Sequence, residues 1–155
     1  MENCCSAIYR LNPSLDSPHN FARRENHFGK ELIVHRKSAI SAQAGEPGLI
    51  AGSMGSPSFV VRGLGWEESL CSSSHGAGRA LSRTEARNRI TSKAMARQLG
   101  SIHYDQRNLD SLRDEAPAAY RDIREVMRAQ HDLTRQEKHL TPLLNFKYPD
   151  NRAPA

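Results

Sequence analysis

At 155 residues and 17.3 kDa the chain has the size of one domain. Its 37% hydrophobic content and mean hydropathy of −0.67 leave a modest core, with some segments depending on a partner surface, and no stretch approaches the roughly 20 apolar residues that span a bilayer, so no membrane partner is expected. A net charge of +5 and an isoelectric point near 9.4, carried mostly by arginine, favour nucleic acid or phosphorylated ligands, although a solvated arginine-rich surface gives the same balance.

Residues 1–18 are polar and turn-rich, with neither the basic start nor the apolar run of an export signal. Residues 1–16 are read as a poorly defined segment, 17–147 as the folded portion and 148–155 as a polar tail. Adjacent Cys4 and Cys5, with Cys71, make an odd total that fits a reduced, cytoplasmic setting better than a disulfide framework. Glu31–His35 carries a β-branched run and predicts a strand; residues 38–48, broken by Gly45, Pro47 and Gly48, predict a loop. Leu49-Ile50-Ala51 and Phe59-Val60-Val61 are further strand candidates, separated by Gly52-Ser53-Met54-Gly55-Ser56-Pro57-Ser58.

Ser82 and Glu85 have capping-box spacing, and Ala86, Ile90, Ala94 and Leu99 follow at helical intervals, so one helix is expected up to Gly100. A second helix is expected from Asp114, with Pro117 in its first turn and Tyr120, Ile123 and Met127 as its apolar stripe. The chain closes on an expected strand, Leu143–Lys147. Short strands and two main helices predict an α+β fold.

The chemistry concentrates at Cys71-Ser72-Ser73-Ser74-His75-Gly76-Ala77-Gly78-Arg79, followed by Ser82-Arg83. Glycines let backbone N–H groups approach an anion closely, and a histidine in such a cradle can be a metal ligand, a proton shuttle or a nucleophile toward phosphorus. The turn Gly52–Gly55 with Ser58 can offer amides and hydroxyls to phosphate oxygens, although most such turns are only turns. His27 and His35 lack ligand spacing, and His103, His131 and His139 fall in polar segments; all five are read as structural or surface residues.

The ordered series His19-Asn20, Arg23, Glu25, His27-Phe28-Gly29, His35-Arg36-Lys37, Gly52–Gly55 and His75-Gly76-Ala77-Gly78-Arg79 with Ser82-Arg83 resembles the C-terminal portion of the RtcB family of RNA ligases. Asp114–Tyr120 and Lys147 agree with it, and the resemblance runs from about residue 17 to 147. It implies an enzyme of tRNA splicing and RNA repair that uses GTP and Mn²⁺ to join RNA 3′-phosphate or 2′,3′-cyclic phosphate ends to 5′-hydroxyl ends. The resemblance makes His75 the nucleophile that becomes a histidine–GMP adduct, and His19 a metal ligand. It places Asn20, Ala51, Gly52, Ser53, Met54, Ser58, Gly76, Ala77, Gly78, Tyr120 and Lys147 around the nucleotide, and Arg83 on RNA phosphate.

The family pattern is also longer. Its N-terminal half carries an Asp-x-x-Cys-Gly-type segment and a Gly-Gly-Gly-Asn-His-type segment with further metal ligands, and neither occurs here. His19 is the one family ligand present, so weak Mn²⁺ binding by this chain is expected, with the N-terminal half of such a ligase as a partner. Ser38 stands where the pattern has glycine, a departure expected to affect a turn and not the chemistry. Two alternatives stay open beside the ligase: a remnant that binds nucleotide or RNA without turnover, and a fragment that does not fold unaided.

Overall fold

The computed structural model describes residues 15–147; Cys4 and Cys5, the segment up to residue 14 and the tail 148–155 lie outside the described residues. Residues 15–19 lead into an antiparallel hairpin of β1 (Asn20–His27) and β2 (Lys30–Lys37), turned by Phe28 and Gly29 at φ of 53° and 71°. Next come β3 (Ala39–Ser41), β4 (Pro47–Ile50), β5 (Ser58–Gly63) and β6 (Ser72–Ser74). Helices α1 (Arg83–Arg89) and α2 (Ser92–Leu99) follow, then α3 (Ile123–Ala129) and β7 (Thr134–Leu140). β3 pairs antiparallel with β6, and the third sheet has the order β4-β5-β7. The expected α+β class is what the molecule shows. No helix among the described residues is long and apolar enough to cross a membrane.

Two small cores hold these pieces. Ile40, Ile50, Phe59, Val61, Ala77 and Ile123 join the sheets to α3, which anchors the chain two residues after His75 in this core. Met54, Ala86, Ile90, Met95, Leu99, Leu112, Ala116 and Ala119 pack α1 and α2 against the segment 112–119.

The anticipated elements change in four places. The expected loop 38–48 contains β3 and the start of β4. The single helix after Ser82 is two: Ile90 is extended, Thr91 caps the amide of Ala94, and the Arg113 guanidinium donates to the carbonyls of Arg87 and Ile90 at the break. The capping box between Ser82 and Glu85 is present, and Gly100 ends α2. The helix expected from Asp114 begins instead at Ile123, because Ala116, preceding Pro117, is driven out of the helical region to ψ 145°; short 3-10 turns fill 113–119 and Tyr120 is extended. The closing strand does not form, and Leu144 makes only one isolated bridge, to His103. The strand that completes the sheet is β7, whose exposed polar sequence carries no apolar alternation. Leu143, Leu144 and Phe146 are left exposed, as are Phe28 and Ile33 on the hairpin.

A buried ion pair fastens the hairpin to the rest. Arg36 donates both Nη groups to Glu25 at 2.6 and 2.9 Å, with side chains 1% and 5% exposed. Arg36 also donates to Leu70 O, Cys71 O and Ser72 Oγ, and His27 Nε2 lies 2.9 Å from the second Glu25 oxygen. Arg23 Nε also donates to Glu25 at 2.8 Å from a half-exposed position, so removing Glu25 leaves Arg36 buried without a carboxylate, and removing Arg36 leaves Glu25 with only that partly exposed arginine. Arg36→Met is expected to destabilise the fold by about 3–5 kcal/mol in urea unfolding. The Arg36 hydrogen bond, against the opposing effect of burial, holds the Glu25 carboxyl down at about 2, from an ordinary value of 4.5. A depressed carboxylate stabilises the fold fully above its unfolded value and less as it protonates in the folded state. The stability gap between wild type and Glu25→Gln should therefore be constant above about pH 4.5 and close between there and about pH 2; a pH-independent gap would contradict this reading.

Candidate active site

β6 delivers His75 beside the turn that follows β2. The Nδ1 of His75 lies 2.8 Å from the Ser38 carbonyl oxygen, and its amide donates to the same oxygen at 3.4 Å. A carbonyl only accepts, so in the neutral ring Nδ1 carries the proton and Nε2 carries the lone pair. His19 stacks on the same ring, with centroids 4.7 Å apart and planes 13° from parallel.

The following glycines are fixed by a short parallel bridge. Ala51 N donates to His75 O and Ala77 N donates to Ala51 O, at 2.9 and 3.0 Å. A Cβ on Gly76 would stand 2.7 Å from Ala51 O, so no side chain fits there. The Ala77 amide is thereby used inside the fold, whereas those of Gly76 and Gly78 have no acceptor among the described residues. Ser38, Ala51, Gly52, Ser74, His75–Arg79, Tyr120, Arg121 and Val126 enclose a cavity of about 570 Å³. Two arginines at its wall and two open amides at the glycine turn suit it to a phosphate-bearing ligand.

The far wall is a network. Arg79 lies 5.0 Å from the Tyr120 ring centroid and donates to the Tyr120 hydroxyl at 3.1 Å; that hydroxyl donates to Glu115 at 2.6 Å, and Glu115 also binds Lys147. Burial, followed by the bond to Glu115, pushes the Tyr120 hydroxyl up to about 12, so it remains a donor across the working range. Burial alone would raise the Glu115 carboxyl; bonds from Lys147 and Tyr120 outweigh it and hold the group below its ordinary value.

Of the positions singled out from sequence, the cavity wall gathers His75, Ala51, Gly52, Gly76, Ala77, Gly78 and Tyr120, with His19 stacked behind His75. The others lie elsewhere. Asn20 is exposed at the start of β1. Ser58 accepts from the Gly52 amide at 3.2 Å, Ser53 pairs with Ser56, and Met54 is buried in the helical core. Lys147 and Arg83 line a separate small cavity with Arg87, Asp114 and Glu115, and Arg83 lies 3.9 Å from Asp114. Lys147 reaches the His75 cavity only through Glu115 and Tyr120. Arg121, Val126 and Glu115 are not singled out as site residues by the sequence, since nothing in their spacing ties them to His75. Among the described residues no cluster of three metal-ligating side chains exists; His19 has no carboxylate or thiolate beside it to complete a divalent site. The donor set of the described residues therefore does not fit Mn²⁺, whereas the glycine cradle fits nucleotide phosphates.

Ser38 corrects its expected role. It sits at φ 61°, the left-handed region where glycine is favoured, as its departure from a glycine pattern suggested, but its carbonyl also fixes His75. Left-handed backbone costs a non-glycine residue about 1–2 kcal/mol, partly offset by the unfolded-state freedom glycine adds. Ser38→Gly should thus stabilise the protein by up to about 1 kcal/mol in urea titration, and Ser38→Val should destabilise it; the opposite order would show that this residue is not left-handed.

Comparison with known proteins agrees with this geometry. The family model "tRNA-splicing ligase RtcB" matches residues 3–148. The RNA-splicing ligase RtcB of Escherichia coli K12 is 51% identical over 115 residues, covering 74% of this chain and 28% of that protein. RNA-splicing ligase RtcB homolog 1 of Entamoeba histolytica is 36% identical over 133 residues, covering 72% and 25%. RNA-splicing ligase RtcB of Mycobacterium tuberculosis is 33% identical over 149 residues, covering 83% and 34%. The chain thus spans between a quarter and about a third of the length of these relatives. A match along nearly the whole sequence, including the His75-Gly76-Ala77-Gly78-Arg79 segment that lines the cavity, places this chain in the RtcB family.

Proposed function

We propose that this chain carries the nucleophile and part of the nucleotide site of an RNA ligase. The reaction joins RNA 3′-phosphate or 2′,3′-cyclic phosphate ends to 5′-hydroxyl ends with GTP as co-substrate, as in tRNA splicing and RNA repair, in a cytoplasmic setting. The observation that carries this reading is the bond between His75 Nδ1 and the Ser38 carbonyl, which leaves the Nε2 lone pair for attack.

In the proposed first step, Nε2 attacks the α-phosphorus of GTP. The N–P bond forms as the bond to the pyrophosphate oxygen breaks, and the proton stays on Nδ1, donated in a hydrogen bond to Ser38 O. An oxygen of the RNA 3′-phosphate then takes the GMP and returns the electron pair to Nε2. Attack by the 5′-hydroxyl on the activated phosphate makes the new phosphodiester, releases GMP and gives the hydroxyl proton to solvent. The amides of Gly76 and Gly78, with Arg79 and Arg121, supply charge stabilisation for the phosphates. Mn²⁺ would act as Lewis acid in such a ligase. Among the described residues His19 is the one family ligand on offer, so the remaining ligands are assigned to an N-terminal portion of an RtcB protein, the proposed partner. The single donor equally favours a second reading, a remnant that binds nucleotide or RNA without turnover.

Intact-mass analysis after incubation with GTP and Mn²⁺ separates these readings. A GMP adduct is expected once an N-terminal portion of the E. coli relative is added, and none with His75→Ala. No adduct in that mixture would leave the binding remnant. Independently of activity, nitrogen-detected NMR of the imidazole should show the Nδ1–H tautomer for neutral His75; the Nε2–H tautomer would remove the basis for attack through Nε2.

A further inference from the structure

On α3, Val126 faces the His75 cavity, whereas Arg124, Met127 and Arg128, at helical spacings of three and four, line a second and larger groove of about 910 Å³. Its other wall is β7. A bulge opposite Val60 and Val61 lets Thr134, Gln136 and His139 pair with Gly63, Val61 and Phe59, so all three share the groove face despite uneven spacing. Phe59 lies beneath, its ring centroid 5.4 Å from that of His139. His131 completes the rim.

We propose that this groove holds the sugar–phosphate backbone of single-stranded RNA, an inference that rests on the reading of RNA as the substrate. Three observations carry it. The Arg124 guanidinium has no partner among the described residues, and Arg128 has only an exposed Glu125 at 3.8 Å, a contact weak enough to yield to phosphate. Thr134 is 4% exposed, lines the groove, and its Oγ1 has no hydrogen-bond partner among the described residues, so a buried hydroxyl awaits a polar ligand. The His139 ring offers a flat surface on which a base can stack. The acidic groups nearby are already engaged: Asp122 accepts from the Arg124 amide at 2.8 Å, and Asp132 lies 2.9 Å from His131. An acidic protein segment would satisfy the arginines but has no use for the stacking ring.

The test is fluorescence anisotropy of the full chain with a labelled oligouridylate bearing a 3′-phosphate, across a salt series. Arg124→Ser/Arg128→Ser should weaken binding and reduce the slope of log affinity against log salt by about 1.4, the value for two lost single-strand phosphate contacts. Arg135→Ser/Lys138→Ser removes the same charge from positions on β7 outside the groove and should leave the slope unchanged. Thr134→Val should lower affinity without changing the slope. Equal effects of the two double variants, or no RNA binding by the wild type, would overturn the proposal. The GMP-adduct experiment tests the ligase reading separately, so failure of one is distinguishable from failure of the other.

Discussion

The pairing of Glu25 with Arg36 is the constraint on which the rest of the site depends. A guanidinium and a carboxylate this deeply buried tolerate each other only in one geometry, and Arg36 uses its remaining donors on the backbone at Leu70 and Cys71 and on Ser72. Two residues further on, Ser38 grips His75, and the next residue, Ala39, pairs with Ser74. Segment 36–39 and segment 70–75 are thus fastened at successive points. The hairpin, which contributes no residue to the cavity wall, sets where His75 stands and which of its nitrogens holds the proton.

Strain is concentrated on both sides of this seam. Ser38, Leu70 and Cys71 all adopt positive φ without being glycine, at 61°, 53° and 46°. Such residues persist only where surrounding contacts over-determine them, and here the contacts are those of Arg36 and His75. The seam therefore exchanges local backbone comfort for the placement of one imidazole.

The histidine before the glycine turn, the capping box and three of the strands were legible because each depends on local chemistry: turn residues, a hydroxyl three residues before a carboxylate, short apolar or β-branched runs. Tyr120 could be attached to His75 only through resemblance, since the cation–π contact with Arg79 joins residues far apart in the chain. β7 was hidden because an exposed edge strand has little apolar alternation to show. The break between α1 and α2 was hidden because Thr91 competes locally with a hydrophobic period that continues through it, and the competition is settled by Arg113, a tertiary contact. Ser38 was noticed as a departure but its carbonyl was not, because the role of a backbone oxygen leaves no mark on residue identity.

The connections that build the cavity also shape how it comes into being. The Ser38–His75 bond spans 37 positions and the Arg36–Cys71 bond 35, while Gly78 must wait for Arg121 to close the cavity's other side. Loops of that length must close before any of these contacts repays the lost entropy. The helical segment 82–119, whose packing is largely local, can consolidate earlier. On this topology the placement of the His75 imidazole depends on long-range contacts of the fold, whereas the helices and the hairpin rest largely on contacts closer in sequence.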